Sequence, residues 1–159
     1  RFVAKHELSR FPVFARAMER AGHVFIDRSR RRQAVRAMRR AGQRMGDEGL
    51  SLAIFPEGTR SSDGRLRRFR RGAFSLAIET GADLVPVAVA GGSELLPRGR
   101  RRMEPGTLRI RCGETVPLAG REREDRDRVL ARTREAIEAM LREMRADGGS
   151  DRVGSREPA

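Results

Sequence analysis

The chain has 159 residues and a net charge of +13, with 38% hydrophobic residues and seven Phe as its only aromatic residues. This length predicts one domain with a hydrophobic core, and the apolar content excludes a disordered chain. The single cysteine, Cys112, excludes an internal disulfide and a cysteine-rich zinc module. No apolar run approaches the ~18 residues that a transmembrane helix needs.

Strand and helix patterns alternate along the chain. Apolar runs predict strands at residues 2–4, 23–26, 50–55, 84–88 and 107–112. Helical spacing predicts helices at residues 7–21 (interrupted by Pro12), 30–45, 73–80 (ended by Gly81) and 126–145. The alternation predicts an α/β fold with a largely parallel central sheet flanked by helices, its strands covered on both faces. We expect a folded domain over 1–146 and a disordered tail over 147–159.

The positive charge is concentrated in one part of the chain. Residues 28–71 hold 14 arginines and four acids, whereas Lys5 is the only lysine. Such a surplus indicates an anionic partner, such as a phosphorylated substrate, an acidic lipid surface or nucleic acid. An arginine-rich composition with a solvated face is the alternative.

The segment 55–61, Phe-Pro-Glu-Gly-Thr-Arg-Ser, directly follows a predicted strand. Ligand sites in open α/β sheets gather at the carboxyl ends of strands. Gly58 permits a tight turn that presents its N–H groups and the Thr59 hydroxyl, and Arg60 supplies a planar fork that matches a phosphate. Arg67, Arg68, Arg70 and Arg71 follow, just before a predicted helix start, which also favours anions. The segment is therefore either a phosphate site or a plain strand-to-turn junction with Arg60 facing water.

Other polar residues give weaker signals. Asp27 either orients Arg28 as an anion clamp or forms an ordinary surface pair with it. His23 as a general base would need an acid, but Asp27 lies four residues along the strand, ~13 Å away, so a structural histidine is favoured. Cys112 alternates with Ile110 and Leu108, which favours a buried structural thiol. No metal-ligand spacing or phosphate-loop motif is present.

Several spaced segments resemble the 1-acylglycerol-3-phosphate acyltransferase family. Residues 55–60 are similar to its third block and residues 22–28 to its second, Gly-x-x-Phe-Ile-Asp-Arg. Residues 3–8, with Pro12 and Phe14, look like the lead-in to the second block. Segments 69–74 and 85–88 resemble the family's sequence after the third block, including the fourth. The resemblance runs from about residue 3 to residue 117.

The chain departs from the family at the first block, Asn-His-x-x-x-x-Asp, which supplies the catalytic histidine and its acidic partner. His6 and His23 both lack an Asp five residues on. We therefore expect a chain truncated at its amino end, or one that has lost the chemistry, and we assign no catalytic residue. Ala15 is a smaller departure, since the family usually has Gly there.

The resemblance implies acyl transfer from acyl-CoA or acyl carrier protein to the free hydroxyl of a lysophospholipid, with phosphatidic acid as the expected product. No metal or other cofactor is implied. In the family the histidine is the general base on the hydroxyl, and the aspartate orients it. The acceptor phosphate is assigned to Arg28 and Arg60, with Lys5 as a weaker candidate. Gly58 and Thr59 shape the turn, and Glu57 is expected to hold either a neighbouring Arg or the turn backbone.

The sequence leaves two functions open. One is an acyltransferase at the cytoplasmic face of a membrane, bound peripherally or anchored by sequence upstream of the chain. The other is a non-catalytic basic protein that binds anionic lipid or nucleic acid. Nucleic acid is disfavoured because the chain has no Tyr or Trp on which bases would stack.

Overall fold

The computed structural model describes residues 1–27, 30–59, 61, 65–96, 99–100 and 102–150. It has the predicted α/β class, with four strands and five α-helices in this part of the chain. The chain divides into two compact units. Unit 1 comprises Arg1–Pro56, Arg70–Asp83 and Pro117–Arg126, and unit 2 comprises Glu57–Phe69, Leu84–Val116 and Asp127–Ala159.

Unit 1 contains the parallel pairing that the sequence predicts. Strand β1 (Val3–Lys5) pairs in parallel with β2 (Val24–Ile26), and Phe2 forms a parallel bridge with Ala53 on the other side. The predicted strand at residues 50–55 is thus reduced to one bridge. β1 therefore lies between the other two segments.

The helices of unit 1 begin and end where local chemistry dictates. A 3-10 helix (His6–Arg10) precedes α1 (Pro12–Arg20), which starts at Pro12 because proline needs no N–H in the first turn. Helix α3 (Gly72–Thr80) ends at Gly81, which takes the left-handed conformation with φ +62°.

Helix α2 (Arg31–Glu48) packs against α3 within unit 1. A methyl group built at Gly42 would come within 2.5 Å of Thr80 Cγ2 and 2.9 Å of Leu76 Cδ1. The two helices approach this closely because position 42 has no side chain.

Unit 2 contains an antiparallel pair and nearly all of the last helix. Strand β3 (Val87–Ala90) pairs with β4 (Arg109–Cys112) in an antiparallel register, and the short helix α4 (Gly92–Leu95) follows β3. This pair differs from the largely parallel sheet that was predicted. Helix α5 (Arg126–Ser150) buries five of the seven side chains on the face that its spacing predicts, namely Val129, Thr133, Ile137, Met140 and Met144, while Leu130 and Leu141 are half-buried.

Two expectations about unit 2 change. The face of β3 and β4 that carries Val87, Val89 and Ile110 is 42–62% exposed, although strands covered on both faces were expected. Cys112 lies on that face and is exposed, so the prediction of a buried thiol is wrong. Alternation placed Cys112 and Ile110 on one face correctly, but it is the opposite face, with Ala88, that is buried.

The carboxyl end of the chain is helical further than expected. Helix α5 continues to Ser150, four residues into the segment predicted as a tail, and residues 151–159 lie outside the described part. Among the described residues, no helix is both long and apolar enough to cross a membrane.

Candidate functional site

The candidate site lies in the segment 57–69 of unit 2, here called the loop, of which residues 57–59, 61 and 65–69 are described. The Glu57 carboxylate accepts a hydrogen bond from the backbone N–H of Arg67, with 2.7 Å between Oε2 and N. A carboxylate on a backbone N–H forms a charge-assisted bond, about twice as strong as a neutral one. Among the described residues, Glu57 thus contacts the backbone of Arg67, which lies outside the turn of residues 57–60.

The turn after Glu57 has the shape that its glycine predicts. Gly58 is buried with φ +74°, a conformation that side-chain-bearing residues rarely adopt. Thr59 follows and is exposed. Arg60, the predicted phosphate fork, lies outside the described residues.

Within unit 1, Pro56, the residue just before this turn, has its own backbone hydrogen bond. The backbone N–H of Arg70 donates to the carbonyl of Pro56 at 2.8 Å. Two hydrogen bonds, one in each unit, therefore fix the start and the return of the 57–69 segment.

Of the second predicted group of site residues, the backbone of Lys5 lies in unit 1 at the end of β1. The register sets Lys5 opposite Ile26, two residues before Arg28. The carboxyl ends of parallel strands meet at one edge, so the backbones of Lys5 and Ile26 lie at the same edge. The Lys5 side chain and the whole of Arg28 lie outside the part that the structure describes. Asp27, expected to orient Arg28 or to form a surface pair, lies 3.5 Å from Arg30 Nε.

The basic residues at the end of the loop and just after it are open to solvent. Arg67 and Arg68, in unit 2, and Arg70 and Arg71, in unit 1, are all exposed. Arg70 and Arg71 directly precede α3, as the sequence predicts.

Within the described part of the chain, neither histidine is arranged with an acid as a general base. His23 Nδ1 accepts the backbone N–H of Phe2 at 2.9 Å, and its ring lies 5.5 Å from the Phe2 ring. At His6, the Ser9 hydroxyl donates to the backbone carbonyl at 2.6 Å, while the ring Nδ1 is 3.5 Å away. The structural role favoured for His23 is confirmed.

One residue at the loop was not singled out from sequence. Arg134 of α5 donates to the carbonyls of Leu66 and Arg67, at 3.2 and 2.5 Å. Among 34 arginines its only local signal is Glu138, four residues on, which is an ordinary helix ion-pair spacing.

The chain is similar to known proteins over much of its length. A family model described as Acyltransferase matches residues 1–90 of the chain. The 1-acyl-sn-glycerol-3-phosphate acyltransferase alpha of Homo sapiens is 31% identical over 146 residues, covering 92% of this chain and 52% of that protein. The 1-acyl-sn-glycerol-3-phosphate acyltransferase of Limnanthes alba is 35% identical over 109 residues, covering 69% of this chain and 39% of that protein.

A solved structure resembles the fold as well. The crystal structure of the 1-acyl-sn-glycerophosphate acyltransferase PlsC from Thermotoga maritima matches with a TM-score of 0.74 and 28% identity. The match covers 91% of this chain and 56% of that one. The chain thus spans about half the length of the relatives that it matches most broadly. Since the family model covers more than half of the chain, and the sequence blocks and the fold agree with it, the chain belongs to the acyltransferase family.

Proposed function

We propose that this chain carries the acceptor-binding part of an O-acyltransferase that acylates the free hydroxyl of 1-acylglycerol-3-phosphate to give phosphatidic acid. The observation that supports this most is the turn at Glu57, Gly58 and Thr59. It lies in the segment that resembles the family's third block, and a carboxylate contact holds it in place. The names of the relatives support the same acceptor.

The proposed recognition of the acceptor follows from the chemistry of the turn. Exposed Thr59 offers an N–H and a hydroxyl, both of which donate to phosphate oxygens. Arg60 adds a guanidinium whose two parallel donors match two of those oxygens. Because Glu57 accepts the Arg67 N–H, its negative charge is directed toward protein backbone.

The acyl donor in this proposal is a thioester of CoA or acyl carrier protein. The acceptor hydroxyl attacks the thioester carbon, the C–S bond breaks, and the hydroxyl proton passes to a general base. The family's base is the histidine of the Asn-His-x-x-x-x-Asp block, which this sequence lacks. His23 Nδ1 accepts the backbone N–H of Phe2, and the His6 ring lies near the Ser9 hydroxyl, so we expect neither to replace it.

The test of the acceptor site compares binding with turnover in this chain. We expect it to bind a soluble short-chain lysophosphatidate and to show no turnover with acyl-CoA at the rates of a complete enzyme, since loss of a general base costs about 10²–10⁴ in rate. Arg60→Ala should weaken binding about tenfold or more, and Arg60→Lys should weaken it less.

The control for that test is Arg40→Ala, which removes an exposed arginine from α2. Comparing the affinity for lysophosphatidylcholine of the same chain length shows whether binding requires the free phosphate. Unchanged affinity for lysophosphatidate in Arg60→Ala would mean that the acceptor binds elsewhere. Turnover that depends on His6 or His23 would reveal a replacement base.

We also propose that the chain meets an anionic membrane surface. Supporting this, Phe11, Val13 and Phe14 at the start of α1 are 64%, 86% and 46% exposed, and the nearby Arg10 and Arg16 are exposed. Exposed apolar side chains beside arginines suit the boundary between lipid headgroups and acyl chains. Each arginine near an acidic leaflet adds about 1 kcal/mol of attraction.

Co-sedimentation with neutral and acidic vesicles at low and high salt tests this proposal. Binding should need acidic lipid and weaken with salt, because exposed charges are screened over about 8 Å at physiological ionic strength. Replacing Arg67 and Arg68 with Gln should reduce binding more than the same change at Arg36 and Arg40 of α2. Equal losses would indicate a diffuse charge effect, and no loss from either pair would contradict a role for these charges.

A double variant tests the apolar contribution. Phe11→Ser combined with Val13→Ser should lower the binding that remains at high salt, since burial of apolar surface is not screened by salt. If this double variant binds as well as the unchanged chain at both salt concentrations, α1 does not touch the lipid.

A further inference from the structure

The side chain of Arg134, on helix α5, contacts the candidate loop. The guanidinium of Arg134 donates from Nη2 to the carbonyl of Leu66 at 3.2 Å and from Nη1 to the carbonyl of Arg67 at 2.5 Å. Both acceptors belong to the returning limb of the loop, and all three residues are in unit 2. An arginine fork therefore holds two successive carbonyls of the loop backbone.

Two further contacts hold that guanidinium in place. Nη2 lies 2.6 Å from Oε1 of Glu138, one turn further along α5, and Cζ lies 5.6 Å from the centre of the Phe69 ring. The side chain of Arg134 is only 31% exposed. A half-buried cation with a carboxylate beside it and an aromatic ring next to it has little freedom to turn.

The contact with Leu66 has a consequence for Glu57. The carbonyl of Leu66 and the N–H of Arg67 belong to the same planar peptide group, in which they point in opposite directions. Arg134 holds the oxygen of this group, and the Glu57 carboxylate holds its N–H. A cation thus lies at the negative end of the peptide dipole and an anion at the positive end, so each bond strengthens the other.

We propose that Arg134 is a positioning residue for the acceptor site, acting on Glu57 and its turn through the peptide group between Leu66 and Arg67. This inference rests on the proposed function, because it assigns the turn to the acceptor phosphate. Arg134 itself contacts backbone and takes no part in the chemistry. The alternative role is a simple tie that stabilises the packing of α5.

The first measurement is amide hydrogen exchange at Arg67 in the whole chain. Arg134→Gln should speed exchange of this N–H about tenfold or more, because the bond to Glu57 loses its partner across the peptide. Arg134→Lys keeps the charge but not the fork, and should give an intermediate effect. The matched control is Arg132→Gln, which changes an exposed arginine of the same helix.

The second measurement is affinity for soluble short-chain lysophosphatidate. Arg134→Gln and Glu57→Gln should each weaken binding about threefold or more. The double variant should be little worse than the worse single variant, because both changes act through one peptide group. Multiplicative losses in the double variant would overturn the proposal, since a general loss of stability acts independently of Glu57.

The two measurements separate this inference from the proposed function. If the unchanged chain does not bind lysophosphatidate, the proposed function is wrong, and Arg67 exchange alone decides whether Arg134 positions the turn. If Arg134→Gln lowers the unfolding temperature but leaves Arg67 exchange as in Arg132→Gln, the residue is only a tie and the inference is wrong. Should Arg134→Gln fail to fold, Arg134→Lys carries the same comparison.

Discussion

Removing the Glu57 carboxylate tests how the loop is held. The 2.7 Å bond from the Arg67 N–H has a charged acceptor, and such bonds contribute about 1.5–3 kcal/mol. Glu57 is only half-buried, and water competes for the N–H, which favours the low end of that range, about 1.5 kcal/mol. For a chain of this length, Glu57→Ala should then lower the unfolding temperature by about 3–6 °C.

Thermal unfolding measures the loss of stability, and amide exchange measures the loss of the bond at the Arg67 N–H. The Arg67 N–H should exchange about tenfold faster in Glu57→Ala, since 1.4 kcal/mol corresponds to a factor of about ten. Glu57→Gln retains a neutral acceptor and should lose about half as much free energy. Glu135→Ala, an exposed glutamate on α5, is the control. Unchanged exchange at Arg67 in Glu57→Ala would refute the role given to this carboxylate.

Two further predictions concern stability away from the loop. Gly91 has φ +88°, and a methyl group there would overlap the carbonyl oxygen of Thr107. Gly91→Ala should therefore lower the unfolding free energy, measured by urea titration, by more than about 1–2 kcal/mol. A smaller loss would mean that the backbone shifts freely. The hydrogen bond from Arg44 lowers the pKa of Glu48. The pair therefore stabilises the fold at pH values above the ordinary pKa of a glutamate, and this stabilisation is lost as the pH falls through the lowered pKa of Glu48. Glu48→Gln should therefore reduce the acid sensitivity of thermal unfolding slightly, because the pair is exposed, and an identical pH profile would contradict this.

Helix ends were predictable because single residues determine them. Gly81 ends its helix as predicted, through its own backbone geometry. Pro12 was expected to interrupt a helix over 7–21, and the structure places the break there, with a 3-10 helix before it and α1 starting at Pro12. The apolar face of α5 was predictable for a similar reason, since seven side chains repeat the helical period.

Strand pairing was less predictable because it depends on distant partners. Residues 50–55 have a strand composition, yet only Ala53 pairs and Phe55 is 63% exposed. The alternation at Cys112 identified a face but not the side on which the core lies.

In the candidate site, too, locally determined features were predictable and tertiary contacts were not. The turn at Gly58 follows from the need for a positive φ, whereas Arg134 meets the loop only through tertiary structure, 67 residues from its partner Arg67. No local pattern separates this arginine from the 33 others.

The interleaving of the two units has a consequence for synthesis. The chain passes between them five times, so neither unit is a continuous stretch that a ribosome completes before starting the other. Unit 1 still lacks the segment with buried Leu118 after more than a hundred residues have been made. The loop at Glu57 lacks its tie until residue 134 emerges, and such long-range closures form slowly. The segment 57–69 therefore stays without this contact from its own synthesis until residue 134 is made, the period when a chaperone would be of most use.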